Sequence, residues 1–162
     1  MNLAEAIITR NVEKHPLKSA IGFKKKDAGW KELSWKKLSE LIFKTANALI
    51  EIGIQEGDKV AIYAENSSEW IIFDLAAISI GAVSVPIYST NNGEQTEYII
   101  KDSGSKIILA GNQEQYDVCL EILKQENTEL KTIIVCKKAV WIKKEFSSFY
   151  LEDFIFKSSP KI

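Results

Sequence analysis

Proline, cysteine and histidine are scarce in this chain of 162 residues, which has three, two and one of them. Two cysteines, Cys119 and Cys136, cannot build a disulfide framework. Cys119 falls on an apolar helical face and Cys136 ends an apolar strand-like run, so both read as buried free thiols. The lone His15 precedes Pro16 in an expected helix-to-strand turn, and no Cys-x-x-Cys accompanies it. That leaves little to hold a metal and makes a histidine-based triad improbable. An excess of charge is also missing: 21 basic and 22 acidic residues give a net charge of −1. Nucleic-acid-binding domains usually carry a basic excess, so no nucleic-acid partner is expected. The N-terminal MNLAEAIITRN has no basic-then-apolar signal pattern. The most apolar stretch, 70–87, contains Asp74, Gly81 and Pro86, so it divides into helix, turn and strand rather than spanning a membrane. The setting expected is reducing and cytoplasmic.

Several fixed motifs are absent as well. No G-x-G-x-x-G follows a strand, and neither G-x-x-x-x-G-K-S/T nor G-x-S-x-G occurs. What is present is ordinary globular composition, 46% apolar and 27% charged, in a length that suits one domain. Leu3, Ala6, Ile7 and Arg10 suggest a first helix ending before His15. SAIGFKKK (19–26) and WKELSW (30–35) flank Asp27-Ala28-Gly29 and read as an antiparallel hairpin. The run Lys24-Lys25-Lys26 reads as a solvated hairpin edge. Ser34 suits an N-cap for a helix over 35–52, whose buried stripe is Leu38, Leu41, Ile42, Thr45, Ala46, Leu49 and Ile52. Gly53 ends that helix in the left-handed conformation.

From residue 59 the chain becomes periodic. Strand-like runs KVAIYA, VSVPIY, KIILA and TIIVC begin at 59, 83, 106 and 132. Helical segments lie between them at about 67–80, 93–103 and 113–126, the first two ending at Gly81 and Gly104. This alternation predicts right-handed βαβ crossovers: an α/β fold with a largely parallel sheet, helices on both faces and an N-terminal antiparallel hairpin. Strands rich in Ile and Val on both faces agree with it. The helix at 67–80 is apolar nearly all round and should be the most buried. VWIKKEF (140–146) is expected as a further strand and LEDFIF (151–156) as a short amphipathic helix, before a loop-like ending at 158–162.

Two strand ends face the side where open α/β sheets bind ligands, residues 65–68 and 88–92. Asn66 and Glu69 have capping-box spacing, as do Asn92 and Gln95. The first box leaves Ser67 and Ser68 as ordinary first-turn residues. The second leaves Tyr88, Ser89 and Thr90 unexplained, so these three are the candidate ligand-facing residues. Glu65 is the one acid at a strand's carboxyl end; Asp58 sits in a turn and Asp74 within a helix. Asn66-Ser67-Ser68 is formally a glycosylation sequon, which a cytoplasmic setting leaves unused. Trp30, Trp35, Trp70 and Trp141 are too scattered for a stacking platform and read as packing residues.

Five pieces in order carry a family resemblance. They are the L-S-W…L helix ending at Gly53, G-D-K-V-A-I (57–62), N-S-S-E-W (66–70), G-A-V-S-V-P-I-Y (81–88) and D-S-G-S-K (102–106). Together the chain resembles the N-terminal region of AMP-forming acyl-CoA synthetases of the adenylate-forming superfamily, nearest to long-chain fatty-acid:CoA ligases. The likeness is good over 15–136. It implies a ligase that uses ATP and Mg²⁺ to make an acyl-adenylate, from which coenzyme A displaces AMP. The family's Ser/Thr/Gly-rich phosphate loop ending in Pro-Lys-Gly does not occur in this sequence. Residues 1–162 are therefore expected to be the N-terminal α/β subdomain of an AMP-binding (adenylation) domain, truncated before that loop. Such a subdomain would be an inactive scaffold with no catalytic residue or metal site of its own and no bound cofactor. Its partner would be the rest of the same polypeptide, with a long-chain fatty acid as substrate. Apolar surface exposed by isolation would permit a homodimer, and a peripheral membrane location is compatible with the parent enzyme. The resemblance also implies that Tyr88, Ser89 and Thr90 approach coenzyme A or the substrate face. Two alternatives stay open: a synthetase for a medium-chain or aryl acid, and a stand-alone, non-catalytic α/β module that binds a nucleotide or a protein.

Overall fold

The computed structural model describes residues 3–25 and 28–157. Lys26 and Asp27 of the expected hairpin loop and the ending at 158–162 lie outside the described residues. Helix α1 (Leu3–Lys14) stops before His15 and Pro16, where a proline ring would clash with the preceding turn. Strands β1 (Ser19–Lys25) and β2 (Gly29–Ser34) pair antiparallel as a separate two-stranded sheet. Helix α2 (Trp35–Glu51) begins where the Ser34 hydroxyl accepts from the Lys37 N–H at 3.2 Å. Its buried face is Leu38, Ile42, Thr45, Ala46 and Leu49. Ile52 was expected on that stripe but is 41% exposed, because it lies beyond the last helical turn at the C-cap. Gly53 follows with φ 93°, a conformation that costs a residue with a Cβ 1–2 kcal/mol as an order of magnitude.

The periodic region folds as the alternation predicts. It contains β3 (Lys59–Tyr63), α3 (Ser68–Ser79), β4 (Val83–Ile87), α4 (Gly93–Ser103), β5 (Ile107–Ala110), α5 (Gln113–Leu123) and β6 (Thr132–Val135). It closes with β7 (Ser148–Tyr150) and α6 (Leu151–Lys157). The five strands form one parallel sheet in the order β4-β3-β5-β6-β7. Alternate residues of each strand face opposite layers. Val60, Ile62, Leu109 and Ile134 join Leu49, Phe73, Ala76 and Phe154 from α2, α3 and α6. Ala61, Tyr63, Ile108 and Ile133 join Ile100, Tyr116, Leu120 and Ile122 from α4 and α5. Burial on both faces is why the strand sequences are nearly continuous apolar runs. Helix α3 has no exposed residue, in keeping with its sequence. Pro86 lies on β4, an edge strand, where a missing backbone N–H does least harm to the ladder. No helix among the described residues is long and apolar enough to cross a membrane.

The segment 140–146 is not the strand its alternating apolar residues suggest. Two of its backbone donors are taken by side chains of α5, the Trp141 N–H by Gln113 Oε1 at 2.8 Å and the Lys143 N–H by the Tyr116 hydroxyl at 2.9 Å, and those of Val140 and Phe146 close local turns onto Lys137 and Lys143. The chain reaches the sheet edge only at Ser148, where β7 begins.

Candidate functional site

The strand order reverses between β3 and β5. The β3-to-β4 connection runs through α3 on one face, and the β4-to-β5 connection returns over β3 through α4 on the other. The chains leaving the carboxyl ends of β3 and β5 therefore part, and open α/β sheets bind ligands in the crevice this makes. Here the crevice measures about 860 Å³ and runs from Ala64–Glu69 and Gly111, Asn112 and Gln115 to Cys136 and Lys137. Residues of the β1–β2 hairpin, including Phe23, Lys24, Lys25 and Trp30, form its outer wall.

Each wall is built from strand-to-helix junctions. After β3, the extended Ser67 caps α3, its hydroxyl accepting from the Trp70 N–H at 3.1 Å. The expected Asn66–Glu69 box does not form. Asn66, Ser67 and Ser68 are all competent caps, and the one with extended backbone (φ −157°, ψ 170°) immediately before the first helical residue is Ser67. Ser68 is buried and donates to the Glu69 carboxylate at 2.9 Å, so that carboxylate is engaged inside the first turn. After β5, Asn112 caps α5 by accepting from the Gln115 N–H at 2.9 Å. Gly111 is needed there for space: a Cβ on it would lie 2.9 Å from the Ala64 Cβ and 3.0 Å from the Ala64 Cα.

The candidate residues Tyr88, Ser89 and Thr90 sit together after β4, on the rim beside this crevice rather than among its lining residues. Tyr88 is 82% exposed and Thr90 is exposed, while Ser89 is half-buried. The loop closes through the Asn91 N–H, which donates to the Tyr88 carbonyl at 3.0 Å. The Asn92–Gln95 capping box forms as expected, with bonds of 2.9 and 3.1 Å. Gln115 links rim and crevice: its Oε1 accepts from the Gly111 N–H at 3.0 Å and its Nε2 donates to the Ser89 carbonyl at 3.3 Å. Sequence reasoning missed Gly111, Asn112 and Gln115, although Asn112 and Gln115 repeat the capping spacing seen at Asn92.

The crevice carries Lys24, Lys25 and Lys137 against Glu65 and Glu69, a mixed wall in which those three lysines form no ion pair among the described residues. Burial first, with the Glu69 carboxylate adding to it, pushes the Cys136 thiol up to about 12. It stays protonated at neutral pH and is no nucleophile. Burial also pushes the Cys119 thiol well above its usual range. Asp58 belongs to the opposite end of the sheet, where Lys106 Nζ lies 2.6 Å from its carboxylate and the Gln55 N–H donates at 3.0 Å. Trp30 and Trp141 are exposed, whereas Trp35 and Trp70 pack against the core. No cluster of three or more His, Cys, Asp or Glu residues suited to a metal occurs among the described residues.

A family profile described as "AMP-binding enzyme" matches residues 8–153. The chain is 36% identical over 84 residues to the long-chain-fatty-acid–CoA ligase FadD15 of Mycobacterium bovis, spanning 52% of this chain and 14% of that protein. It is 29% identical over 133 residues to the long-chain-fatty-acid–CoA ligase ACSBG1 of Bos taurus, spanning 82% and 18%. The chain thus spans under a fifth of the length of these relatives. Among solved structures, the anthranilate CoA ligase AuaEII, in complex with anthranoyl-AMP, has TM-score 0.83 at 22% identity, over 98% of this chain and 29% of that one. Coronafacic acid ligase from Pectobacterium brasiliense has TM-score 0.83 at 23% identity, over 100% and 31%. At those identities the likeness establishes the fold.

Proposed function

The chain belongs to the AMP-binding enzyme family, and from that premise we propose that it is the N-terminal α/β subdomain of an ATP-dependent long-chain fatty-acid:CoA ligase. The observation that carries the reading is the family match over 8–153, joined to curated relatives named as long-chain-fatty-acid–CoA ligases. In this reading the whole enzyme forms an acyl-adenylate from ATP and a fatty acid, with Mg²⁺ neutralising the phosphates, and then transfers the acyl group to coenzyme A. Adenylation requires groups that stabilise charge on a transferring phosphoryl unit. At this chain's crevice Ser67, Ser68, Glu69, Asn112 and Gln115 are engaged in capping and in holding one another, so its part is to scaffold the site and contribute one wall. The Tyr88–Ser89–Thr90 rim is the portion assigned to coenzyme A or the substrate face. It suits a polar ligand because it offers two exposed hydroxyl groups beside a crevice bearing three lysines with no ion-pair partner among the described residues.

The test compares two proteins in a pyrophosphate-release assay with ATP, Mg²⁺, palmitate and coenzyme A. The 162-residue chain should release none. The product of the complete reading frame should release pyrophosphate and form palmitoyl-CoA. Turnover by the 162-residue chain alone would overturn the scaffold role, and a reading frame that stops at Ile162 would favour a stand-alone binding module. Activity of the longer product with an aryl acid but not with palmitate would move the substrate class.

A further inference from the structure

We infer that Tyr63 and Gln115, two buried polar side chains from β3 and α5, are positioning residues that fix the 88–92 loop and so hold Tyr88 and Thr90 ready for a ligand. The inference rests on the reading of that loop as facing coenzyme A. Tyr63 donates its hydroxyl to the Asn91 carbonyl, and Gln115 donates its amide to the Ser89 carbonyl at 3.3 Å. Both side chains are nearly inaccessible, with Gln115 only 2% exposed. Burying an amide is unfavourable unless both its ends are bonded. The Gly111 N–H already has a partner in the Tyr63 carbonyl at 3.1 Å, so the bond that only a glutamine amide supplies here is the one to Ser89.

A connection between strand and helix needs no such help. At the other end of the sheet, 80–82 joins α3 to β4 through backbone bonds alone: Ile80 and Ala82 donate to Ala77, and Gly81 donates to Ile78. The 88–92 loop is instead held from β3, from α5 and by its own Asn92–Gln95 box. The two side chains left outside, Tyr88 and Thr90, make no hydrogen bond among the described residues. Fixing a loop in advance removes an ordering cost that binding would otherwise meet. Gly111 is part of the device, since a Cβ there would meet Gln115 Oε1 at 2.7 Å and displace the amide.

The experiment uses amide hydrogen exchange on the ¹⁵N-labelled 162-residue chain and coenzyme A titration of the product of the complete reading frame. Three variants are compared: Tyr63→Phe, Gln115→Met and Gln115→Glu. Asn91, whose N–H closes the loop, should exchange roughly fivefold to tenfold faster in Tyr63→Phe and Gln115→Met, the change that one lost hydrogen bond supports. Asn92, held by the capping box, serves as the internal control and should not change. Glutamate at 115 can still accept from the Gly111 N–H but cannot donate to Ser89 while ionised. Its loop should be loose at neutral pH and tighten in acid as the carboxyl gains a proton, a response a merely space-filling residue would not give. Coenzyme A should bind the unaltered full-length product and bind more weakly to its loosened variants by a similar factor. Unchanged Asn91 exchange in all three variants overturns the positioning role, whatever the ligand does. Faster exchange with undiminished coenzyme A binding overturns it too. Coenzyme A binding by the full-length product that does not weaken when Tyr88→Ala and Thr90→Ala are combined overturns the ligand-facing reading instead.

Discussion

Replacing Ser67 by alanine should destabilise the fold, and replacing Asn66 should not. The Ser67 hydroxyl accepts from the Trp70 N–H at 3.1 Å, whereas Asn66 is exposed and its side chain bonds to nothing among the described residues. Losing a serine N-cap costs about 1 kcal/mol. Here Ser67 and Trp70 are both only partly exposed and α3 is packed along its whole length, so water replaces the lost acceptor poorly. An unpaired donor in that setting raises the cost towards about 2 kcal/mol. With a urea slope of about 2 kcal/mol per molar, the midpoint should fall by roughly 0.5–1 M. Asn66→Ala should stay within about 0.5 kcal/mol of the parent, and Ser67→Asp should restore most of the loss. The assay is equilibrium urea unfolding followed by tryptophan fluorescence and far-UV circular dichroism together. An Asn66→Ala loss equal to or above that of Ser67→Ala would refute the reasoning. It would return the cap to the Asn66–Glu69 pair that the sequence spacing favours.

Two further outcomes follow from the titrating groups. Asp58 is held below the usual carboxylate range, first by its hydrogen bond from Lys106 and then by the Gln55 N–H. A carboxyl with a depressed folded pKa contributes its full stability above its unfolded pKa, and loses it as pH falls through the folded value. Asp58→Asn should therefore unfold at lower urea than the parent at neutral pH and converge with it in strong acid; a difference that does not vary with pH would exclude the ion pair as its source. Cys136 reaches the crevice, but its pKa near 12 leaves about a thousandth of the thiolate an ordinary cysteine offers. Ellman's reagent should react with neither it nor Cys119 in the folded chain and with both in urea, and labelling of folded Cys136 at the rate of free cysteine would contradict that environment.

What the sequence makes legible follows from which interactions are local. KVAIY, IILA and TIIV read as parallel strands because burial on both faces removes polar residues from every position after the first. The hairpin and the cap at Ser34 depend on residues within a few positions of each other, and both are found where expected. The junction at 66–68 was less certain because three neighbouring residues can each cap a helix. A capping spacing names candidates, and the path of the chain from the sheet selects among them. The run VWIKKEF reads as a strand, yet a strand also needs free backbone donors. Gln113 and Tyr116 occupy two of these from 27 or 28 residues away, and nothing in the local pattern records that.

The same distinction runs through the candidate site. Tyr88, Ser89 and Thr90 stood out in the sequence because the Asn92–Gln95 box accounts for its own residues and not for them. Gln115 did not stand out, since at the third position after Asn112 it looks like one more cap partner. In a full capping box its side chain would return to the Asn112 N–H. Instead it turns to Gly111 on one side and Ser89 on the other, and leaves that reciprocal bond unmade. The departure is possible only because Gly111 has no Cβ and because the strand order brings the loop after β4 next to α5. Topology converts a helix-capping residue into a link between the crevice and its rim. A buried polar side chain that forgoes its capping partner for Gly111 at the end of the preceding strand and for a loop 26 residues away is therefore a better guide to this site than any short motif in the chain.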